Sequence, residues 1–195
     1  WSRRDGATFL HLGASVTRRN PDGDVTLRQH PESFLAQRYI NTGALATNSL
    51  VAYDLEAAFV HGPLSLQGEY IVSELDTDLW GGRRFSGYYA ALSWFLSGES
   101  RPYKKGAFWR VIPKSSFRMR GEEQGWGAWE LALRYSHADL DDGPVRGGKE
   151  TNITAGVNWY LNANTRVMMN YIHAVPENIL YDGNLEILQT RFQVD

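Results

Sequence analysis

Three arginines, Arg134, Arg166 and Arg191, stand in stretches where apolar and polar residues alternate, and each falls on the polar side. A guanidinium is a planar, permanently charged fork that grips phosphate or carboxylate through two parallel hydrogen bonds. Asp54, Glu56, Glu69 and Glu130 share that polar side. Because the acids outnumber the arginines, ion pairs along the wall are the competing use of the same groups. A second basic set, Arg28, His30 and Arg38, lies in the polar connection 20–49. The densest set is residues 98–125, where Arg101, Lys104, Lys105, Arg110, Lys114, Arg118 and Arg120 face three glutamates, a net +4. Such groups capture anions by local field or dock a charged partner. They do not make a reaction centre. The histidines at 11, 30, 61, 137 and 173 lack metal-ligand spacing, and no glycine-rich phosphate loop joins a strand to a helix. Cysteine is absent, which excludes disulfides and thiolate metal sites. The residues therefore point away from an enzyme and require no metal or cofactor; a net charge of −2 gives no reason to expect nucleic acid.

Extended segments must position these groups. In residues 126–136 (W-G-A-W-E-L-A-L-R-Y-S), Trp129, Leu131, Leu133 and Tyr135 take one side, and Glu130, Ala132, Arg134 and Ser136 the other. A strand sends successive side chains to opposite faces, so this segment has one apolar and one polar face. The same alternation recurs at 7–19, 51–60, 64–72, 86–96, 151–161, 166–174 and 185–194. Eight consecutive alternating strands with no helical period between them predict an all-β, antiparallel up-and-down sheet. Short turns are expected at 61–63 and 162–164. Long connections are expected at 20–49 (with a short extended piece at 34–42), 74–84, 98–125, 138–149 and 175–184.

A soluble barrel would satisfy the alternation alone; three further features favour a membrane wall. Strands of nine to thirteen residues match the length that a tilted strand needs to cross a bilayer, and short turns alternating with long loops fit an outer-membrane barrel. More specifically, with the last residue placed at the periplasmic side, rings collect at two heights. Phe59, Trp94, Trp129, Trp159 and Phe192 mark the lower rim; Tyr53, Tyr70, Tyr88, Tyr135 and Tyr171 mark the upper. The pairs Tyr53/Phe59, Tyr88/Trp94 and Trp129/Tyr135 are each six residues apart, about 20 Å along a strand, and the residues between are mostly Ala, Leu and Val. Two aromatic girdles around an apolar band are expected where a wall meets lipid.

At 87–95 (G-Y-Y-A-A-L-S-W-F), 98–103 (G-E-S-R-P-Y), 125–135 (G-W-G-A-W-E-L-A-L-R-Y) and 156–162 (G-V-N-W-Y-L-N) the chain resembles the phosphate-selective porin O/P family. The runs 62–70 and 188–195 resemble it too. The resemblance implies a transmembrane antiparallel up-and-down β-barrel of sixteen strands, trimeric, in the outer membrane of a Gram-negative-type bacterium, passing phosphate or other small anions. Lipid and lipopolysaccharide would surround it. The eight strands would be the C-terminal half, with the terminal aromatic residue expected after Asp195 absent and Trp1 looking like the middle of a longer chain. By strand count, residues 20–49 would be an outer loop that folds into the lumen and presents arginines, which nominates Arg28 and Arg38 beside Arg134, Arg166 and Arg191 as pore-lining. Residues 98–125 would lie on the periplasmic side, as a basic exit, a docking surface for a periplasmic or surface-layer protein, or packing against the rim. Two rivals remain open: an anchoring barrel that conducts little, and an eight-stranded barrel closed on itself around a packed polar interior.

Overall fold

A computed structural model describes residues 8–104, 107–119, 125–179, 181 and 183–194. Lys105 and Arg120 of the basic run, and the residues at either terminus, lie outside the described residues. Eight long strands form one antiparallel sheet in chain order: β1 (Thr8–Arg19), β2 (Leu45–His61), β3 (Leu64–Thr77), β4 (Gly81–Phe95), β5 (Ala128–Asp142), β6 (Val145–Tyr160), β7 (Thr165–Glu177) and β8 (Leu185–Val194). The short strand Gly23–Val25 adds to the far end of β2. The sheet is open, with β1 and β8 at its edges. No helix occurs among the described residues.

The turns explain why the strands are longer than expected. His61 pairs with Leu64 across Gly62-Pro63, and Asp142 pairs with Val145 across Gly143-Pro144. Gly62 and Gly143 have φ of 54° and 58°, the left-handed region that a first turn residue of type II′ requires, and proline's fixed φ suits the second position. The expected long connection at 138–149 is thus a two-residue hairpin. That at 74–84 contracts to residues 78–80, because Thr77 pairs directly with Gly81. Strand pairing continues past Tyr70, Tyr88 and Tyr135 into two tall hairpins. Residues 20–44 and 178–179 share their end of the sheet, called here the upper end; the turns at 62–63 and 161–164 share the lower.

One face of the sheet is bare and the other covered. The bare face shows Leu131, Leu133 and Tyr135 from β5, Leu92 and Trp94 from β4, Leu55 and Phe59 from β2, and Met169 and Tyr171 from β7, all exposed. Every strand presents an apolar row on this side, as the alternation predicts, while Phe9, Val60 and Phe95 turn to the other face beneath the inserts. Register converts the aromatic heights into a tilt. The row of paired residues from Tyr53 runs through Val72, Ser86, Asp139 and Lys149 to Glu177, six residues above Tyr171 on the same strand. The row from Phe59 runs through Leu66, Leu92, Leu133 and Ala155 to Tyr171, four residues above Val167, which pairs with both Trp159 and Phe192. Shifts of four to six residues over five strand steps, at about 3.4 Å per residue and 4.8 Å between strands, tilt the strands by about 30–40° if the rings share a plane. That is close to the tilt of closed barrels.

The covered face carries two inserts. At the upper end Ile40 sits with no exposure among Leu45, Leu50, Leu75, Phe85, Ala138, Leu140 and Val145, so residues 20–44 are pinned to the tall hairpins by an apolar core. At the lower end Val111 packs with Phe95, Ala128 and Tyr160, and Tyr103 and Phe108 pack on Phe9, Ala58 and Val60. Residues 98–104 and 107–119 therefore fold back onto the same face from the opposite side.

Candidate functional site

The upper insert turns at residues 30–36. His30 Nδ1 lies 2.8 Å from the Ala36 carbonyl, and Ala36 N donates to the Ser33 carbonyl. Pro31 and Ser33 are buried against the wall, and Ser33 Oγ donates to Gln189 of β8 at 2.7 Å. Between them Glu32 has φ 55°, the one left-handed non-glycine residue among the described residues. Its Oε1 accepts from Arg134 Nε at 3.0 Å and from Ser136 Oγ at 2.6 Å. On its other side the Arg134 guanidinium lies 3.6 Å from the centre of the Tyr89 ring, a cation–π contact. Arg28, Arg38, Glu32, Glu69, Tyr89 and Arg134 line a cavity of about 600 Å³ there.

The wall beneath is polar and dense. Ser136 Oγ accepts from Asn152 Nδ2 at 3.3 Å, which also reaches Glu150 Oε1 at 3.1 Å. Glu150 and Asn152 are almost wholly buried, and Glu150 Oε2 and Asn152 Oδ1 have no hydrogen-bond partner among the described residues. Gln29 of the insert is 3.5 Å from Glu150. Acid also gathers on β2 and β3, where Glu56 pairs directly across from Glu69. His11 Nε2 lies 2.9 Å from Glu56 Oε1, and the Glu56 side chain lies over Gly13, where a Cβ would fall 2.5 Å from it.

The lower insert inverts the pairing. Here the arginine comes from the insert: Arg101 forms an ion pair with Glu130 of β5, whose side chain has no exposure. Glu130 Oε2 also accepts from Tyr160 Oη at 2.8 Å and Asn158 Nδ2 at 2.9 Å. Arg101 lies over the rings of Phe108 and Phe95 at 5.4 and 5.9 Å, and Tyr103 stacks on Phe9 at 4.4 Å. Burial, and then the nearby Glu56, push the Tyr103 phenol above its ordinary value. Arg110 Nη1 donates to Asn164 at 2.7 Å. A cavity of about 260 Å³ opens between Arg101, Arg110 and Arg166. A second of about 260 Å³ separates the two inserts, bounded by Glu32 and Arg134 above and Arg101 below. Its floor is small and hydroxylic: Ser65, Ala91, Ser93, Ala132 and Gly156, with Ser65 and Ser93 hydroxyls bonded at 2.7 Å.

The structure brings Arg28, Arg38 and Arg134 to one cavity. Arg166 lies at the lower cavity, held by Gln193 at 2.9 Å, and Arg191 is exposed on the edge strand β8. Of the residues expected to mark the girdles, Trp129 and Trp159 stack at 5.0 Å on neighbouring strands, while Tyr88 and Tyr135 lie 6.1 Å apart. Sequence reasoning missed Glu32, Ser136 and Arg101 as site residues. Arg101 was legible only as one charge of a basic run. Glu32 carried no signal at all, since its partner is 102 residues away. What the arrangement offers is fixed charge that can hold ions: arginines are spaced along a polar face, and among the described residues no set of His, Cys, Asp or Glu could hold a metal.

The model of the family described as phosphate-selective porin O and P matches residues 2–195. The chain belongs to that family. A protein of Caulobacter vibrioides is 37% identical over 175 residues, covering 85% of this chain and 34% of the relative. Porin O of Pseudomonas aeruginosa is 33% identical over 139 residues, covering 65% of this chain and 30% of that protein. The chain thus spans about a third of the length of these relatives. Among the described residues β1 and β8 each have a long strand partner on one side only.

Proposed function

We propose that this chain forms part of the wall of an outer-membrane porin through which phosphate or other small anions diffuse passively. The observation that carries the reading is the convergence of Arg28, Arg38 and Arg134 on one cavity, on the face opposite a continuous apolar surface. Monomeric soluble proteins rarely expose apolar patches beyond a few hundred Å², whereas a wall facing lipid and lipopolysaccharide requires one. From the upper cavity the path continues over the hydroxylic floor to Arg101, Arg110 and Arg166. Cationic side chains along such a path favour anions. Family membership and the Porin O relative support a channel rather than an enzyme. A homotrimer in a Gram-negative-type outer membrane is the assembly that this reading proposes. Residues 98–119 act in it as a basic narrowing at the periplasmic mouth, with Trp109, Ile112 and Met119 exposed for a periplasmic partner.

Reversal potentials in planar bilayers under a potassium chloride gradient test this. The full-length protein is expected to prefer chloride, and Arg134→Ala with Arg28→Ala to cut the anion-over-cation permeability ratio by roughly twofold or more. A cation-selective wild-type channel would refute the reading. The two inserts on one face favour a second reading, an anchoring barrel that conducts little. Absence of conductance from correctly folded protein would select it.

A further inference from the structure

We propose that Arg134 and Ser136 form an oxyanion-binding site that this protein keeps filled with its own Glu32 carboxylate, so that a passing oxyanion binds by displacing Glu32. The proposal rests on the anion-conducting reading and adds a tethered competitor to it.

Two donors converge on one oxygen. Arg134 Nε at 3.0 Å and Ser136 Oγ at 2.6 Å both serve Glu32 Oε1, the arrangement in which a charged and a neutral donor would take one oxygen of a phosphate. The Tyr89 ring backs the guanidinium from the other side, so the fork is held in one plane whether Glu32 is present or not. Glu32 reaches this position through a left-handed backbone at φ 55°, a conformation that side chains other than glycine, asparagine and aspartate rarely adopt. Such an outlier persists only where its surroundings enforce it, and here the enforcement is independent of the carboxylate. Pro31 is buried on one side, Ser33 is bonded to Gln189 on the other, and Ile40 is locked in the upper core. The tip of the insert therefore stays in place when the Glu32 side chain swings away.

Arg28 and Arg38 are exposed on the same cavity. An arriving anion meets them first and reaches Arg134 last, where it exchanges with Glu32. Conduction needs sites that bind firmly enough to admit an ion and weakly enough to release it. A carboxylate fixed to the wall supplies the release: it reoccupies Arg134 and expels the anion.

Block of the chloride current by inorganic phosphate, measured on single channels of the full-length protein, tests the competition. Glu32→Gln, which removes the charge but keeps the shape, is expected to lower the half-blocking phosphate concentration roughly threefold to tenfold. Glu32→Gly, which also relieves the backbone, should act in the same direction and covers the case in which the glutamine variant folds poorly. Glu69→Gln removes an equal charge from the same cavity without freeing Arg134, and should shift the value by less than about twofold. Equal shifts in Glu32→Gln and Glu69→Gln would reduce the effect to a general field and overturn the proposal. So would an unchanged or raised half-blocking concentration in both Glu32 variants. If the unmutated channel shows no anion preference, the parent reading fails as well, and that outcome is visible before any variant is made.

Discussion

Removing the guanidinium of Arg101 would strand a carboxylate that has no contact with solvent. Glu130 keeps Tyr160 and Asn158 as donors, but neither carries charge, and breaking a buried pair by deleting one partner costs about 3–5 kcal/mol. Arg101 itself is a quarter exposed, which places the expected loss for Arg101→Ala near the lower end, about 3 kcal/mol. Adding Glu130→Gln to that variant should recover a large part of it, because the stranded charge is gone. Urea unfolding in lipid vesicles reads both values; a double variant less stable than Arg101→Ala would contradict the account. By contrast Arg166, held on one side by Gln193 and half-exposed, should tolerate Arg166→Gln with a change of about 1 kcal/mol or less. At this scale the sequence was half readable. Alternation told which side of its strand Arg134 or Glu130 occupies. It could not tell what stands opposite, because Glu32 and Arg101 arrive from inserts whose path depends on tertiary packing.

Turns decide how tall the wall is. Gly-Pro at 62–63 was readable as a tight turn, and Gly-Pro at 143–144 closes a hairpin in the same way. The second was obscured by its neighbours: aspartates before it and the Gly147-Gly148 pair after it read as a polar loop, although they continue strand pairing beyond the aromatic rim. Composition reports solvent exposure, and a strand that has left the apolar layer is as polar as a loop. The glycines at these ends are not equivalent. Gly62 meets open space, so Gly62→Ala pays only for φ 54°, about 1 kcal/mol. Gly127, just before β5, combines φ 69° with a backbone oxygen of Tyr160 2.3 Å from where a Cβ would stand. Gly127→Ala must therefore shift either β5 or β6 and is expected to cost at least about 2 kcal/mol more than Gly62→Ala. Folding yield and urea midpoints of the two variants, compared side by side, check the order.

Over the whole sheet the bare apolar face stays on one side, from Leu12 on the first strand to Phe192 on the last. That separation was legible from period-two alternation alone, as were strand number and order, since an up-and-down sheet adds each strand beside the one before it. The inserts were not legible, because a charged segment can lie in water or against a polar wall with the same composition. The tilt has its own consequence. Six residues between paired rings on a strand inclined by about 30–40° leave only about 16 Å between the rows of ring-bearing Cα atoms. The usual apolar belt of such barrels is about 25 Å tall. In the proposed membrane setting, with each row of rings in one plane, lipid chains touching this wall would have to shorten or splay, a hydrophobic mismatch. The protein is expected to refold faster and resist urea longer in vesicles of twelve-carbon than of eighteen-carbon lipids, and in mixed bilayers to draw the shorter chains around itself.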